Sequence, residues 1–358
     1  MANYSLSALK SFIATHQSEP FWIGIDVHKR SYHLALLRAD GRTFTLVAPA
    51  RPEQLVEQFQ RLEISIAGVV YEAGPTGFGL ARTLQKEGIT VTVAAPSKVP
   101  RSVSSGSKTD RLDCLKLAQY VAKGLIRPIA IPTAQEEAHR ALLRRRHQLV
   151  DSIRRCKQRI KGFLLYHGFK ESEAIKNWRP DFPEQIAFLS LEAEGRLTID
   201  SHLRELNFLQ NELSSVTSQL DQINLQPNHR VAIRSLTSVP GVGKVVATTF
   251  HTELFRPERF GRGEEVASYL GLAPTVRHSG ERTPRGHMVP VGQTRLRSLL
   301  IEAAWMWRAK DTYARELYNK LLSKTGIPQK AIAALARRLA IILWRLSIGQ
   351  RAYRPVKT

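Results

Sequence analysis

Cysteine is nearly absent. Two residues in 358, Cys114 and Cys156, cannot build a disulfide framework or a zinc site. Long apolar runs are missing as well. None approaches the ~20 residues that would cross a bilayer, and the longest C-terminal stretch is interrupted by arginine. The first residues, MANYSLSALKSFIATHQSEP, lack a basic start followed by an apolar core, so no signal peptide is read and a cytoplasmic, nucleoid-associated protein is expected. Tandem repeats and low-complexity tracts are absent too. Acidic residues are the minority charge: 31 Asp and Glu stand against 53 Lys and Arg, a net +22. Such an excess repels itself and calls for a polyanionic partner; with no membrane segment, nucleic acid is the expected one. A hydrophobic content of 43% supplies a real core and excludes wholesale disorder.

The strand signals crowd into the first third. After a short amphipathic arm (1–19), the run from Phe21 to Ala48 reads as two or three strands with a hairpin turn at Ala39-Asp40-Gly41-Arg42. A helix is predicted over 52–63, a buried strand over 66–72 stopped by Ala73-Gly74-Pro75, a helix over 77–88, a strand in ITVTVAAP, and a helix over 108–124. This alternation predicts an α/β domain with a partly parallel sheet over 20–132. From 133 to 228 the pattern is helical and basic. Leu203, Leu206, Leu209, Leu213 and Leu220 form a seam suited to a coiled-coil arm, and Phe163, Tyr166 and Trp178 are expected in the core rather than stacked on bases. Residues 229–358 are expected to be mostly helical, with a polar loop over 275–294 and two helices after it.

Two carboxylates interrupt apolar strands, Asp26 in Gly-Ile-Asp-Val-His and Glu72 at the end of Val-Val-Tyr-Glu. Each is costly there unless paired or bound to a cation. Asp110 and Asp113 lie three apart on one helical face. If the two strands are neighbours, four carboxylates converge, and with divalent cations they would make a site for phosphoryl transfer. Taken singly, each also suits a cap or turn, Asp110 as a helix N-cap and Asp113 in its favourable first turn.

The ordered motifs GIDVHK, VYEAGPTG and KTDRLDCLKLA resemble the RuvC-like, ribonuclease-H-fold domain of DEDD transposases. They are most similar to the insertion-sequence family that includes the Piv DNA invertase, whose members act as bridge-RNA-guided recombinases. Farther on, YLGLAPTVRHSGERTPRGH resembles that family's C-terminal transposase domain, with Gly271, Pro274, Ser279 and Gly280 matching its signature. The resemblance implies catalytic, Mg²⁺-binding roles for Asp26, Glu72, Asp110 and Asp113 (Mn²⁺ being a possible substitute) and a nucleophilic Ser279 that joins covalently to a DNA end. It further implies donor and target DNA, a structured noncoding guide RNA, and a homodimer or homotetramer. The alternative is a metal-dependent, structure-selective nuclease resembling a Holliday-junction resolvase, without a covalent intermediate.

Candidate phosphate contacts are Arg140, Arg144, Arg145, Arg146, Arg154, Arg155 and Lys157 on the basic helix, and Arg277, Arg282, Arg285 and Arg295 around the Ser-Gly motif. Gly241, Gly243 and Lys244, in Pro-Gly-Val-Gly-Lys, resemble a helix–hairpin–helix element able to approach a phosphate. An ordinary interhelical turn is the equal alternative there.

Overall fold

Apolar residues alternating across short strands build the N-terminal sheet, and its two faces are read directly from that alternation. The computed structural model describes residues 6–14, 16–100, 110–276, 285–288 and 292–355, with backbone only for 6, 110–111, 275–276 and 285–288. The chain divides into two units, residues 1–135 and 136–358.

Unit 1 runs α1 (Leu6–Ile13), β1 (Pro20–Val27), β2 (Ser31–Arg38), β3 (Thr43–Pro49), α2 (Pro52–Leu62), β4 (Ser65–Glu72), α3 (Gly79–Lys86), β5 (Val91–Ala94) and α4 (Asp110–Ala122). The strands form one mixed sheet in the order β3-β2-β1-β4-β5. β1, β2 and β3 pair antiparallel, whereas β1–β4 and β4–β5 are parallel. Phe21, Ile23 and Ile25 face Leu55, Phe59, Leu80 and Leu84 of α2 and α3. Leu9 and Ile13 of α1 join the same cluster, so the N-terminal arm is packed onto the sheet.

The opposite face carries α4. Trp22, Ala35 and Leu37 meet Cys114 and Ala118, while Val70 and Ala94 meet Leu117. Helix and sheet approach most closely at Gly24. A Cβ there would fall onto the Cys114 carbonyl oxygen and 2.6 Å from the Ala118 amide nitrogen. Only glycine permits this backbone-to-backbone approach.

Unit 2 begins with two long helices, α5 (Ala134–Tyr166) and α8 (Ala193–Asn224), separated by the short α6 (Glu173–Asn177) and α7 (Phe182–Ala187). α5 and α8 pack antiparallel. Ile160 and Leu164 meet Ile199 and Leu206, and Leu143 and Leu149 meet Val216 and Leu220. The leucine seam of α8 is thus covered by α5 of the same chain. Phe163 and Trp178 are partly buried against that core, but Tyr166 is 87% exposed, contrary to the core placement expected of it. It occupies the last position of α5, beyond the reach of α8's packing face.

The remainder comprises α9 (Pro227–Thr237), α10 (Lys244–Leu254), α11 (Gly263–Tyr269), β6 (Pro274–Val276), β7 (Arg285–Met288), α12 (Thr294–Lys310), α13 (Thr312–Thr325) and α14 (Pro328–Gly349). Their core gathers Phe250, Leu300, Trp307, Leu335 and Leu343. Three helices close the chain, not the two expected. Asp311 accepts a hydrogen bond from the Ala314 amide (2.9 Å), ending α12 and capping α13, and Gly326 stops α13 before Pro328. The expected polar loop also contains the β6–β7 ladder. No described helix is long and apolar enough to cross a membrane.

Gly24→Ala should destabilise the protein by at least about 2 kcal/mol, because the added methyl forces α4 off the sheet. Urea unfolding of full-length protein measures this, and an unchanged midpoint would show that helix and sheet do not meet so closely at this position.

Candidate functional site

The parallel register sets the acidic edge. Ile25 pairs with Tyr71, so the following residues, Asp26 and Glu72, are neighbours on adjacent strands. Asp26 lies one residue from the end of β1, rather than mid-strand, and Glu72 ends β4. By alternation both share the face of Gly24 and Val70, which α4 covers. α4 runs antiparallel to these strands: Gly24 meets Cys114 and Ala118, while Gly68, farther back, faces Val121. The helix start, with Asp110 and Asp113, therefore lies toward the edge where β1 and β4 end.

Electrostatics agrees with this placement. Burial pushes the Cys114 thiol up to about 11, and the negative charges of Asp26 and Asp113 add to the effect. Asp26 Oδ2 is 3.1 Å from His28 Nε2, with the Asp26 side chain 26% exposed. His33 is the cross-strand partner of Asp26, and its ring meets that of His28 edge-on at 5.2 Å. Neither histidine was among the sequence-derived candidates. Their signal was alternation, since His33 stands opposite Asp26 once the hairpin closes.

Carboxylate oxygens suit a hard divalent cation such as Mg²⁺ or Mn²⁺. The backbone brings Asp26 and Glu72 together with the start of α4. Among the described residues, however, no three His, Cys, Asp or Glu side chains stand close enough to hold a metal ion, and the Asp110 side chain lies outside those described. The donor chemistry and backbone placement fit a divalent cation, while the described side chains alone do not form a closed ligand cage.

In unit 2 the basic helix divides into distinct groups. Arg140 and Arg144, one turn apart on α5, both grip Glu253 of α10, which is 5% exposed. Arg140 Nη2 lies 3.0 Å and Arg144 Nε 2.9 Å from its oxygens. Burial alone would raise the Glu253 carboxyl, but the two guanidinium groups outweigh it and hold the group below its ordinary value. Arg146 donates to Thr217 Oγ1 at 3.1 Å, and Lys157 lies over the Trp178 ring at 4.7 Å. Arg154 is 3.7 Å from Asp151, and Arg145 and Arg155 are exposed. Glu253 itself carried no sequence signal, because its partners lie more than a hundred residues away.

The Pro-Gly-Val-Gly turn joins α9 to α10. Gly241 adopts φ 86°, and a Cβ on it would sit 2.6 Å from the Trp307 amide nitrogen, so packing against α12 requires glycine here. Gly243 caps α10 with open space around it, and Lys244 is 74% exposed. Gly271 and Pro274 are described, and Arg295 is exposed. Arg277, Ser279, Gly280 and Arg282 lie outside the described residues, and Arg285 is described by its backbone in β7. The base of that segment is closed. Gly292, at φ 108°, is pressed so near the chain at 269–271 that a Cβ would meet the Gly271 nitrogen at 2.7 Å.

Three partly buried histidines from three helices also meet in this unit. His229 Nδ1 lies 2.9 Å from His251 Nε2, and His139 packs edge-on to His229.

Two family models match the chain. A DEDD transposase model of the IS110 type covers residues 23–167, which include all four acids, and "Transposase IS116/IS110/IS902 family" covers 233–319. The Sinorhizobium fredii protein y4qE, named as a transposase, is 32% identical over 77% of this chain and 74% of its own. The chain belongs to the IS110/IS116/IS902 transposase family. Two further relatives match over almost their full length. The transposase for insertion sequence element IS1533 of Leptospira borgpetersenii is 26% identical (90% of this chain, 94% of that protein). The transposase for IS1111A of Coxiella burnetii is 25% identical (93% and 91%). This transposase is therefore an enzyme of DNA transposition that cuts and rejoins strands, and its DEDD domain suggests dependence on a divalent metal cation.

Burial, aided by neighbouring charges, pushes His139, His147 and His251 down to about 4 from 6.5. The unfolded chain takes up these protons near pH 6.5, whereas the folded chain resists until about pH 4. Their contribution is thus fully present above pH 6.5 and is lost as pH falls through this window, with Glu253 adding loss at the acid end. Urea midpoints measured against pH should show the fall, and His139→Gln should shallow it. Glu253→Gln should destabilise by about 2 kcal/mol at neutral pH, because the partly buried Arg140 loses its counter-charge, while the half-exposed Arg144 is screened by solvent and adds less. A pH-independent midpoint, or a Glu253→Gln protein as stable as wild type, would contradict these assignments.

Proposed function

We propose that this transposase cuts and rejoins DNA with Asp26, Glu72, Asp110 and Asp113 holding Mg²⁺, or Mn²⁺ in its place, and with Ser279 as the nucleophile. The α/β domain is read as RuvC-like. The observation that carries this reading is the parallel register that makes Asp26 and Glu72 neighbours at the edge where α4 begins. Bound there, the cation would polarise a scissile phosphate and stabilise its developing charge.

The chain's own groups divide the remaining work. His28, bonded to Asp26, orients that carboxylate. Ser279 Oγ forms a bond to phosphorus as the bond to the departing sugar oxygen breaks. The hydroxyl proton leaves the serine and the freed sugar oxygen takes one up. The resulting phosphoserine ester conserves the energy of the phosphodiester, so rejoining by a sugar hydroxyl needs no ATP. Arg145, Arg154, Arg155, Lys244 and Arg295, exposed on unit 2, are the phosphate-binding cations, whereas Arg140 and Arg144 serve Glu253.

The resemblance to bridge-RNA-guided recombinases supports a structured noncoding RNA as guide, with base pairing reading sequence and the protein reading backbone. The net charge of +22 suits holding RNA with donor and target DNA. Recombining two duplexes requires several active sites, hence a homodimer or homotetramer.

Asp26→Asn and Asp113→Asn should each lower strand cleavage by more than about 100-fold. DNA binding should persist in both. Ser279→Ala should abolish the denaturation-resistant protein–DNA adduct. Wild-type cleavage that leaves no adduct would instead favour the resolvase-like nuclease. Sequencing of RNA that co-purifies with protein expressed from its native flanking DNA tests the guide. Replacing Arg145, Arg154 and Arg155 by glutamate should weaken DNA binding and reduce its salt slope by about 0.9 for each phosphate that is no longer neutralised. An unchanged slope would return these residues to a solvated face.

A further inference from the structure

Helices α5, α8 and α10 surround a cavity of about 160 Å³ that the proposed chemistry does not use. Its apolar lining is Leu143, Leu220 and Val245, the first two nearly fully buried. Its polar lining is Arg146, Thr217, Asp221, Asn224, Lys244 and Thr248. Arg146, Thr217 and Asp221 also line a shallower groove running along α8 from Gln210 to Leu225.

Three observations bear on what such a cavity takes. First, Asn224 is 6% exposed, and its Nδ2 donates to Thr248 Oγ1 at 2.7 Å while its Oδ1 has no partner among the described residues. A buried acceptor left unpaired costs about 1–3 kcal/mol, so the cavity wall lacks a donor. Second, Asp221 is a further acceptor on the same wall, 3.7 Å from Lys244 and 42% exposed. Third, positive charge stands beside these groups. Lys244 opens α10, whose Gly243 cap supplies no side-chain acceptor to the first-turn amides, and Arg146 contributes a guanidinium. A simple anion would have no use for the apolar lining or the two acceptors. A divalent cation would find one carboxylate beside two cationic side chains. A flat heteroaromatic ring bearing an amino group and joined to a phosphate matches all three features.

We propose that this cavity receives one unstacked nucleotide of the bound nucleic acid. Its base lies against Leu143, Leu220 and Val245, its exocyclic amino group donates toward Asp221 and Asn224 Oδ1, and its phosphate meets Lys244 and Arg146. The inference rests on the family's handling of DNA, not on the four acids or Ser279. The two acceptors select an amino-bearing base over one that presents a carbonyl at the same position.

Titration of the full-length protein with cytidine monophosphate, deoxycytidine monophosphate, uridine monophosphate and inorganic phosphate, followed by calorimetry, tests the proposal. The cytosine nucleotides should bind at least about fivefold more tightly than uridine monophosphate, the worth of one net hydrogen bond. Asn224→Leu, which removes the unpaired acceptor at similar volume, should erase that preference. Lys244→Ala, at an exposed site where folding is not at stake, should weaken both pyrimidine nucleotides alike. Tighter binding of the ribonucleotide assigns the pocket to RNA, and tighter binding of the deoxyribonucleotide assigns it to DNA. No binding, equal binding of cytosine and uracil nucleotides, or phosphate bound as tightly as the nucleotides overturns the proposal. A protein that cleaves DNA but binds no cytosine nucleotide refutes the pocket alone. One with the preference intact but no metal-dependent cleavage refutes the acidic-site reading alone.

Discussion

The carbonyl oxygen of Cys114 occupies the place where the first side-chain carbon of any residue but glycine at position 24 would stand. Everything at the acidic edge depends on that close approach. It lets α4 settle on the sheet at backbone distance and fixes its direction against β1 and β4. A helix rising about 1.5 Å per residue against strands rising about 3.3 Å then brings its first turn to where the strands end. Asp26 and Asp113 are near enough for both to raise the Cys114 thiol. Like charges gathered this way oppose folding unless something positive is bound among them, consistent with the metal dependence suggested for DEDD transposases.

The second unit solves the reverse problem. In a chain with 53 cationic side chains, a buried carboxylate is the scarce resource, and Glu253 is shared by two arginines. The pair ties α5 to α10, while Tyr269 Oη donates to the Glu253 carbonyl and brings the end of α11 to the same point. Charge on the long helix therefore has two uses: part of it binds the helix into the fold, and the exposed remainder faces solvent.

Much of the first unit could be read from the sequence because local signals and tertiary structure agree there. Asp26 and Glu72 stand out as charges in apolar strands, and the turn at 39–42 announces the β2–β3 hairpin. What could not be read was long-range. No local pattern gives the parallel register of β1 with β4, since the two strands are joined only through a hairpin and a helix. Arg140 and Arg144 look like any other cations of the run because their partner lies far along the chain. Tyr166 has the composition of a core residue but sits at a helix end. The break at Asp311 was missed because a single capping carboxylate looks like surface charge until its amide partner is known.

The pinned base at Gly271 and Gly292 separates two demands on the transposase domain. Because the chain leaves and re-enters at one point, α11 and α12 are held without reference to how many residues lie between the ends of the β6–β7 ladder. Loop-closure entropy rises by only ~0.6 kcal/mol for each doubling of length. Insertions between positions 276 and 285 are thus expected to cost the helical scaffold little stability, because the contact of Gly271 with Gly292 already holds its two sides together.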